Sequence, residues 1–357
     1  MAEEKVVRFG ILGCAGIATK LARAVGMTSN SSVYAVASRS IDKAKAFVSA
    51  NNLPPEVKTY GSYEQLLDDL CVDVVYIPLP TSLHLEWALK AAHKKKHILV
   101  EKPPALCVED LDTIIEACNN NGVQFMDGTM WMHHPRTPQM KTFLQNPDLF
   151  GDVHLVNCTL TFAGSSKFFE EDIRLKPDLD ALGALGDAGW YCIRAILWAN
   201  DYEMPRSVIA HPGPVLNEGG VITSCGATLS WKDGRVATFH CSFHSCLTMD
   251  LSIHGSKGNL NLYDFAIPYE ENTASFFTST NTNFRDTAWG PKPSEHRVTA
   301  EFPQETLMVQ EFARVVKGIQ DSGGKPDSQW PSISRKTQIV MNAVKTSIQE
   351  GLISVTL

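Results

Sequence analysis

The sharpest chemical signal in the chain is Val100-Glu101-Lys102-Pro103-Pro104. The apolar run His97-Ile98-Leu99-Val100 reads as a buried strand that delivers a carboxyl group and an amine to one edge of a sheet. The two prolines fix the backbone and oppose an immediate helix. A desolvated ammonium at such an edge polarises a carbonyl, or gives and takes a proton. The second signal is Gly183-Ala184-Leu185-Gly186-Asp187-Ala188-Gly189-Trp190-Tyr191. Asp187 and Tyr191 are four apart, so on an α-helix they share a face. A phenol set beside the Lys102 ammonium has its phenolate favoured, which suits it to acid–base work. Asp187 would then orient either group or a substrate hydroxyl. The plainer reading is a strand-end lysine and a polar pair on a helix that Cys192, Ala195, Ile196 and Ala199 pack into a core.

Near the N-terminus, Val6 to Ala18 reads as a short strand, a tight glycine turn and the first turn of a helix. That arrangement aims free backbone N–H groups and the positive end of a helix dipole at one point, where a pyrophosphate can sit. The dinucleotide fingerprint asks for Gly, any, Gly, any, any, Gly or Ala. Gly13 and Ala18 hold its first and third positions, Ala15 replaces the second glycine, and Gly16 and Ile17 complete the stretch. An NAD site places an acid about 20 residues past the glycines, on the ribose 2′-hydroxyl. No acid occurs between Val33 and Ile41. Ser38, Arg39 and Lys43 stand there instead, and a guanidinium matches a phosphate in shape and charge. NADP(H) is therefore expected over NAD(H). Leu79-Pro80-Thr81-Ser82-Leu83-His84 follows the fourth strand, and Thr81 and His84 are expected to face the cofactor.

The elements that position these groups alternate from residue 5 to about 127. Strands are expected at 33–37, 72–77, 97–100 and 123–126, with helices at 40–50, 63–70, 84–93 and 108–121. Crossovers of this length give a doubly wound parallel sheet with helices on both faces, and ligands bind at the carboxyl ends of its strands. The texture then changes. Helices are expected at 133–144 and 184–198, and a long strand at 151–163. Strand-like runs at 207–210, 221–231, 235–242, 248–254 and 258–262 follow, joined by Gly-, Pro- and Asn-rich turns. They describe a second α/β domain built on a mostly antiparallel sheet. Residues 264–296, rich in Thr, Ser, Asn and Pro, are expected to form a long excursion or lid. The domains are thus 1–127 and 128–357, with helices 305–319 and 333–349 packing back toward the first.

The totals exclude several classes. A net charge of −7 offers no basic surface for nucleic acid or an anionic membrane. No apolar run reaches the ~18 residues that span a bilayer. The nine cysteines are scattered, with no Cys-x-x-Cys pair, which points to a reduced, cytoplasmic compartment. Met1-Ala2-Glu3-Glu4-Lys5 is expected to enter the first strand at once, leaving no room for a leader.

The glycine-rich start, Glu101-Lys102-Pro103, Arg174-Leu175 and the Gly183…Asp187…Tyr191 segment together resemble the glucose–fructose oxidoreductase/inositol dehydrogenase family, in its dimeric dihydrodiol dehydrogenase-like branch. The resemblance runs in order over nearly the whole chain. It implies an N-terminal Rossmann domain and a C-terminal α/β domain with a large open sheet often used for oligomerisation. It implies Glu101 and Lys102 at the cofactor, Tyr191 as proton donor or acceptor, and Arg174 and Asp187 at the substrate. Met130-Trp131-Met132-His133-His134-Pro135 resembles the family's segment after the last Rossmann strand, which places Trp131 near the cofactor. The chain departs from the family at Ala15, at Met132 where relatives carry Arg, at Asp180-Ala181-Leu182, and at the bulky Trp190. The implied activity is NADP(H)-dependent interconversion of a secondary alcohol and a carbonyl on a sugar, polyol, cyclitol or cyclic diol. A catalytically silent cofactor-binding regulator of the same fold is the alternative, and a tetrapyrrole-type reductase is a third. An uncovered sheet face would bury apolar residues only by pairing, so a homodimer or larger homo-oligomer is expected.

Overall fold

A computed structural model describes residues 6–280 and 292–357. The chain forms two compact units: residues up to His133 with Phe302–Arg335, and His134–Glu301 with Lys336–Leu357.

The first unit alternates strand and helix: β1 (Val7–Leu12), α1 (Gly16–Gly26), β2 (Ser31–Ala37), α2 (Ile41–Ala50), β3 (Lys58–Tyr60), α3 (Tyr63–Asp68), β4 (Val74–Ile77), α4 (His84–His93), β5 (His97–Val100), α5 (Val108–Asn121) and β6 (Phe125–Asp127). The strands pair in the order β3-β2-β1-β4-β5-β6, all parallel. Alternation along each strand sends side chains to two cores. Phe9, Ile11 and Tyr76 pack on one face with Leu21 and Val25 of α1 and with Phe312. Leu12, Val75 and Ile98 pack on the other with Leu66, Trp87 and Ile114. Phe312 lies on α9 (Gln304–Ser322), and its ring meets Phe9 edge-on at 6.4 Å. The buried carboxylate of Asp127 accepts from Thr129 N at 3.0 Å and from the Ser334 hydroxyl, which ties α10 (Gln329–Gln349) to the end of β6.

The second unit contains α6 (Arg136–Leu144), β7 (Val153–Ala163), α7 (Ser166–Glu171), α8 (Trp190–Ala199), β8 (Ser207–Ala210), β9 (Val215–Leu216), β10 (Ile222–Ser230), β11 (Val236–Ser242), β12 (His244–Gly255), β13 (Gly258–Leu262), β14 (Thr273–Thr280), β15 (Ser294–Thr299) and β16 (Val355–Thr356). They build one sheet in the order β15-β14-β13-β12-β7-β11-β10-β8-β16, with β9 on β10. Pairing is antiparallel except between β7 and β11. Every residue of α8 is buried, over an inward face that includes Cys158, Leu160, Ala227 and Phe239. The outward face of the central strands carries Asn157, Thr159, Thr238, His240, Asp250 and Ser252, none of them buried. Thr238 donates to Asn157 Oδ1 across it at 2.7 Å. The outward face of these strands is thus polar through its middle, with the half-buried Leu155 and Val236 paired at one end.

Three expectations change in structural detail. Residues 264–296 do not form one long excursion: β14 and β15 pair with each other from Thr273↔Thr299 to Thr278↔Ser294. Thr273, Thr278 and Thr280, which read as loop, occupy strand positions, and Ala274, Phe276 and Thr278 are its buried residues. Part of that stretch, 281–291, lies outside the described residues. The helix expected from 133 begins at Arg136, where Pro135 follows a 3-10 turn at Met130–His133. The helix expected from 184 opens with a π turn at Leu185–Gly189.

Arg136 is the most consequential buried charge. It donates to the Asp264 carboxylate, to Asp264 O at 2.6 Å and to Phe265 O at 3.2 Å, while Tyr269 N donates to Asp264 Oδ2 at 3.1 Å. Asp264→Ala leaves this guanidinium without its counter-ion and is expected to cost about 3–5 kcal/mol in urea unfolding.

Candidate active site

In the first unit the carboxyl ends of the parallel strands gather the predicted nucleotide residues. Gly13 ends β1 with φ +107 and donates to Ala37 O at 2.8 Å. A side chain there would sit 3.0 Å from Leu79 Cδ2, so the loop after β4 lies against the glycine turn. Ala15 is the N-cap of α1 and supplies no side-chain cap, and the first helical turn carries no acid. Gly16 is exposed, with open space where its Cβ would be. Backbone donors and the helix dipole are thus left to an anion. Ile17 is half-buried and Ala18 is buried, with its N–H on Ala15 O at 3.0 Å. At the end of β2, Ser38 is buried, while Arg39 and Lys43 are exposed. The Cys14 thiol donates to Lys43 O at 3.6 Å, which joins the glycine turn to α2. Burial pushes that thiol up, against the Ser38 hydroxyl and the Lys43 charge. These residues fit a dinucleotide with an additional phosphate.

Leu79 and Pro80 are half-buried and Thr81 is buried. His84, expected to face the cofactor, is itself buried. Its Nε2 lies 2.8 Å from Leu79 O and its Nδ1 lies 3.1 Å from Pro103 O, so the ring ties two loops together. Glu101 accepts from the Tyr76 hydroxyl and, at 3.3 Å, from Lys102 N. Burial pushes the Glu101 carboxyl up, against the Tyr76 hydrogen bond. Gly128 makes room for it, since a Cβ there would lie 3.1 Å from Glu101 Oε1. Lys102 is half-buried, and its peptide bond to Pro103 is cis. Trp131 is buried in the 3-10 turn after β6.

The second unit brings Arg174 and Asp187 together. Arg174 Nε lies 3.0 Å from Asp187 Oδ2, and its Nη1 lies 3.1 Å from Asp172 Oδ1. The Asp187 carboxylate, then Asp172, hold the guanidinium firmly in its charged form against burial. Asp187 sits in the π turn, and Tyr191 follows in the first turn of α8 with 7% exposure. Trp190 turns into the core over Arg194, at 5.2 Å, rather than toward solvent. Arg194 Nε donates to Thr337 Oγ1 at 2.7 Å.

Sequence reasoning missed Tyr76, Gly128 and Asp172. The one phenol in the apolar run of β4 and the glycine directly after β6 were available signals. Asp172 was signalled only by its spacing of two from Arg174. Among the described residues, no three His, Cys, Asp or Glu side chains gather as a metal site, and no helix is long and apolar enough to cross a membrane.

A six-stranded parallel sheet with a glycine turn at its first strand end, joined to a large mixed sheet, defines a nucleotide-binding oxidoreductase architecture. Residues 7–129 match the model of the oxidoreductase family with NAD-binding Rossmann fold, and residues 139–261 match the GFO/IDH/MocA C-terminal domain. The chain is 31% identical to D-xylose 1-dehydrogenase (NADP(+)) 2 of Haloferax volcanii, over 71% of this chain and 74% of that protein. It is 28% identical to trans-1,2-dihydrobenzene-1,2-diol dehydrogenase of Xenopus laevis, over 65% and 67%. A 3-ketoreductase from Actinomadura kijaniata, solved with NADP and TDP-benzene, superposes with a TM-score of 0.81 at 25% identity, over 96% of this chain and 98% of that one. The chain belongs to the GFO/IDH/MocA family and is an NAD(P)-dependent oxidoreductase.

Proposed function

We propose that the protein uses NADP(H) to interconvert a secondary alcohol and a carbonyl on a sugar, polyol, cyclitol or cyclic diol. The observation that carries this reading is the Arg174–Asp187 pair, 3.0 Å apart, with Tyr191 four residues on. A carboxylate fixed by a guanidinium accepts from substrate hydroxyls and sets their orientation. The Tyr191 phenol then gives or takes the proton of the reacting hydroxyl, and the Lys102 ammonium polarises the carbonyl oxygen. The nicotinamide, when bound, supplies or accepts the hydride. Gly13, Ala15, Gly16, Ile17 and Ala18 would hold its pyrophosphate, with Leu79, Pro80, Thr81, Glu101 and Trp131 lining the rest of the cofactor site. His84 holds two of those loops in place. The D-xylose dehydrogenase that uses NADP and the 3-ketoreductase solved with NADP support this cofactor and substrate class.

Ser38, Arg39 and Lys43 would hold the 2′-phosphate. A charge-assisted hydrogen bond is worth about 1.5–3 kcal/mol, so Arg39→Ala should raise KM for NADPH by about 10- to 150-fold. KM for NADH should stay within about twofold, because the lost group meets only the phosphate. Steady-state kinetics with both cofactors decides this, and equal kcat/KM for the two in the wild type would remove the preference.

A further inference from the structure

The second unit holds a feature that the proposed chemistry does not use. Five aromatic rings gather where β7 ends and β12 begins. Phe243 is fully buried, while Phe162, Phe168 and Phe169 are half-buried. Phe168 meets Phe162 at 5.4 Å, Phe243 at 5.1 Å and Phe169 at 5.6 Å, each edge-on. The outermost ring is His244. It is exposed, yet it is stacked on Phe169 at 4.9 Å with 19° between the planes. Its Nε2 lies 2.8 Å from the Oγ1 of buried Thr223. A solvent-facing ring held by a stack on one side and a hydrogen bond at its edge is a preorganised surface.

That surface adjoins the Arg174–Asp187 pair through bonds within the unit. Asp172, which binds Arg174, donates its N–H to Phe168 O at 3.1 Å. Thr223, which holds His244, follows Ile222, against whose carbonyl Gly183 is packed before the Asp187 turn. The Asp187 carboxylate and a flat aromatic face are thus linked through Arg174, Asp172 and Phe168.

We propose that His244 and Phe169 form a stacking platform for the substrate ring, so that the enzyme selects a closed ring with adjacent hydroxyls over an open-chain polyol. This rests on the functional reading above. The hydroxyls meet Asp187 and Arg174, and the apolar face of the ring lies on the His244 imidazole. An open chain offers no flat apolar face and gains nothing there.

The test uses the full-length enzyme with NADP and two matched probes: the trans vicinal diol of cyclohexane, and hexane bearing hydroxyls on its two central carbons. An aromatic contact supports about a 3- to 10-fold effect, so His244→Ala and Phe169→Ala should each lower the ring-to-chain ratio of kcat/KM by that factor. His244→Phe keeps a ring and should restore the ratio, which also separates stacking from imidazole acid–base chemistry. His244 is exposed, so its variants are not expected to unfold, and melting curves verify this. A ratio unchanged in both alanine variants overturns the platform while the wild-type turnover leaves the functional reading standing. A wild type that oxidises neither probe, nor any pyranose, overturns the functional reading and the platform with it.

Discussion

Tyr191→Phe is expected to lower kcat about 10²–10⁴-fold, the usual contribution of a positioned general acid or base. The substitution removes one oxygen from a side chain that is 7% exposed, so volume and packing are nearly conserved. The Arg174–Asp187 contact, 3.0 Å between Nε and Oδ2, should persist. NADPH affinity should stay within about twofold, because the nucleotide residues lie in the other unit. The result is therefore a loss in kcat with binding retained, read from steady-state kinetics and a fluorescence titration of NADPH. An unchanged kcat would remove Tyr191 from the chemistry and leave Asp187 and Arg174 as binding groups alone.

Gly183→Ala tests the scaffold beneath the same residues. Gly183 has φ +55, which side chains other than glycine rarely adopt. A Cβ there would stand 2.0 Å from Ile222 O and 2.7 Å from Val221 Cγ1. The obstacle is strand backbone, which cannot rotate aside, so either β10 or the turn leading to Asp187 must move. Overpacking of this kind is expected to cost about 3 kcal/mol or more, a fall in melting temperature of about 6–12 °C. Misplacement of Asp187 should depress kcat/KM in whatever fraction folds. A variant that melts like the wild type and turns over normally would show that the turn tolerates a second conformation.

Much of the first unit was legible because its strands are continuous apolar runs and its crossovers are short. The glycine turn, the acid-free end of β2 and the Glu101-Lys102-Pro103 edge are local in sequence, and local patterns carry them. The Arg174–Asp187 contact was half legible: both residues were singled out, but their pairing depends on Asp172 and on the path of the loop between them. The π turn was not legible. It follows a glycine locked against β10, and Gly189 lies close to Cys241 of β11, so its geometry is set by two strands some forty to fifty residues later in the chain. The Phe169–His244 stack was invisible for the same reason, since Phe169 lies on α7 and His244 opens β12, and the two meet only in the folded unit. His84 was recognised as a residue at the right loop, but its partners are backbone carbonyls, which leave no mark in composition. The polar middle of the outward sheet face was written in the alternation of β7, β11 and β12.

The central claim is that this chain carries out NADP-linked oxidation and reduction at a ring hydroxyl. The most direct measurement is reduction of NADP+ by the purified wild type against a panel of pyranoses, cyclitols and cyclic vicinal diols, followed by the near-ultraviolet absorbance of the NADPH formed. Turnover with at least one ring substrate, faster with NADP+ than with NAD+ and abolished in Lys102→Ala, is the predicted result. Tight binding of NADPH with no turnover of any of them, in the wild type as in Lys102→Ala, would contradict the account and bring forward a protein that keeps the cofactor as a ligand.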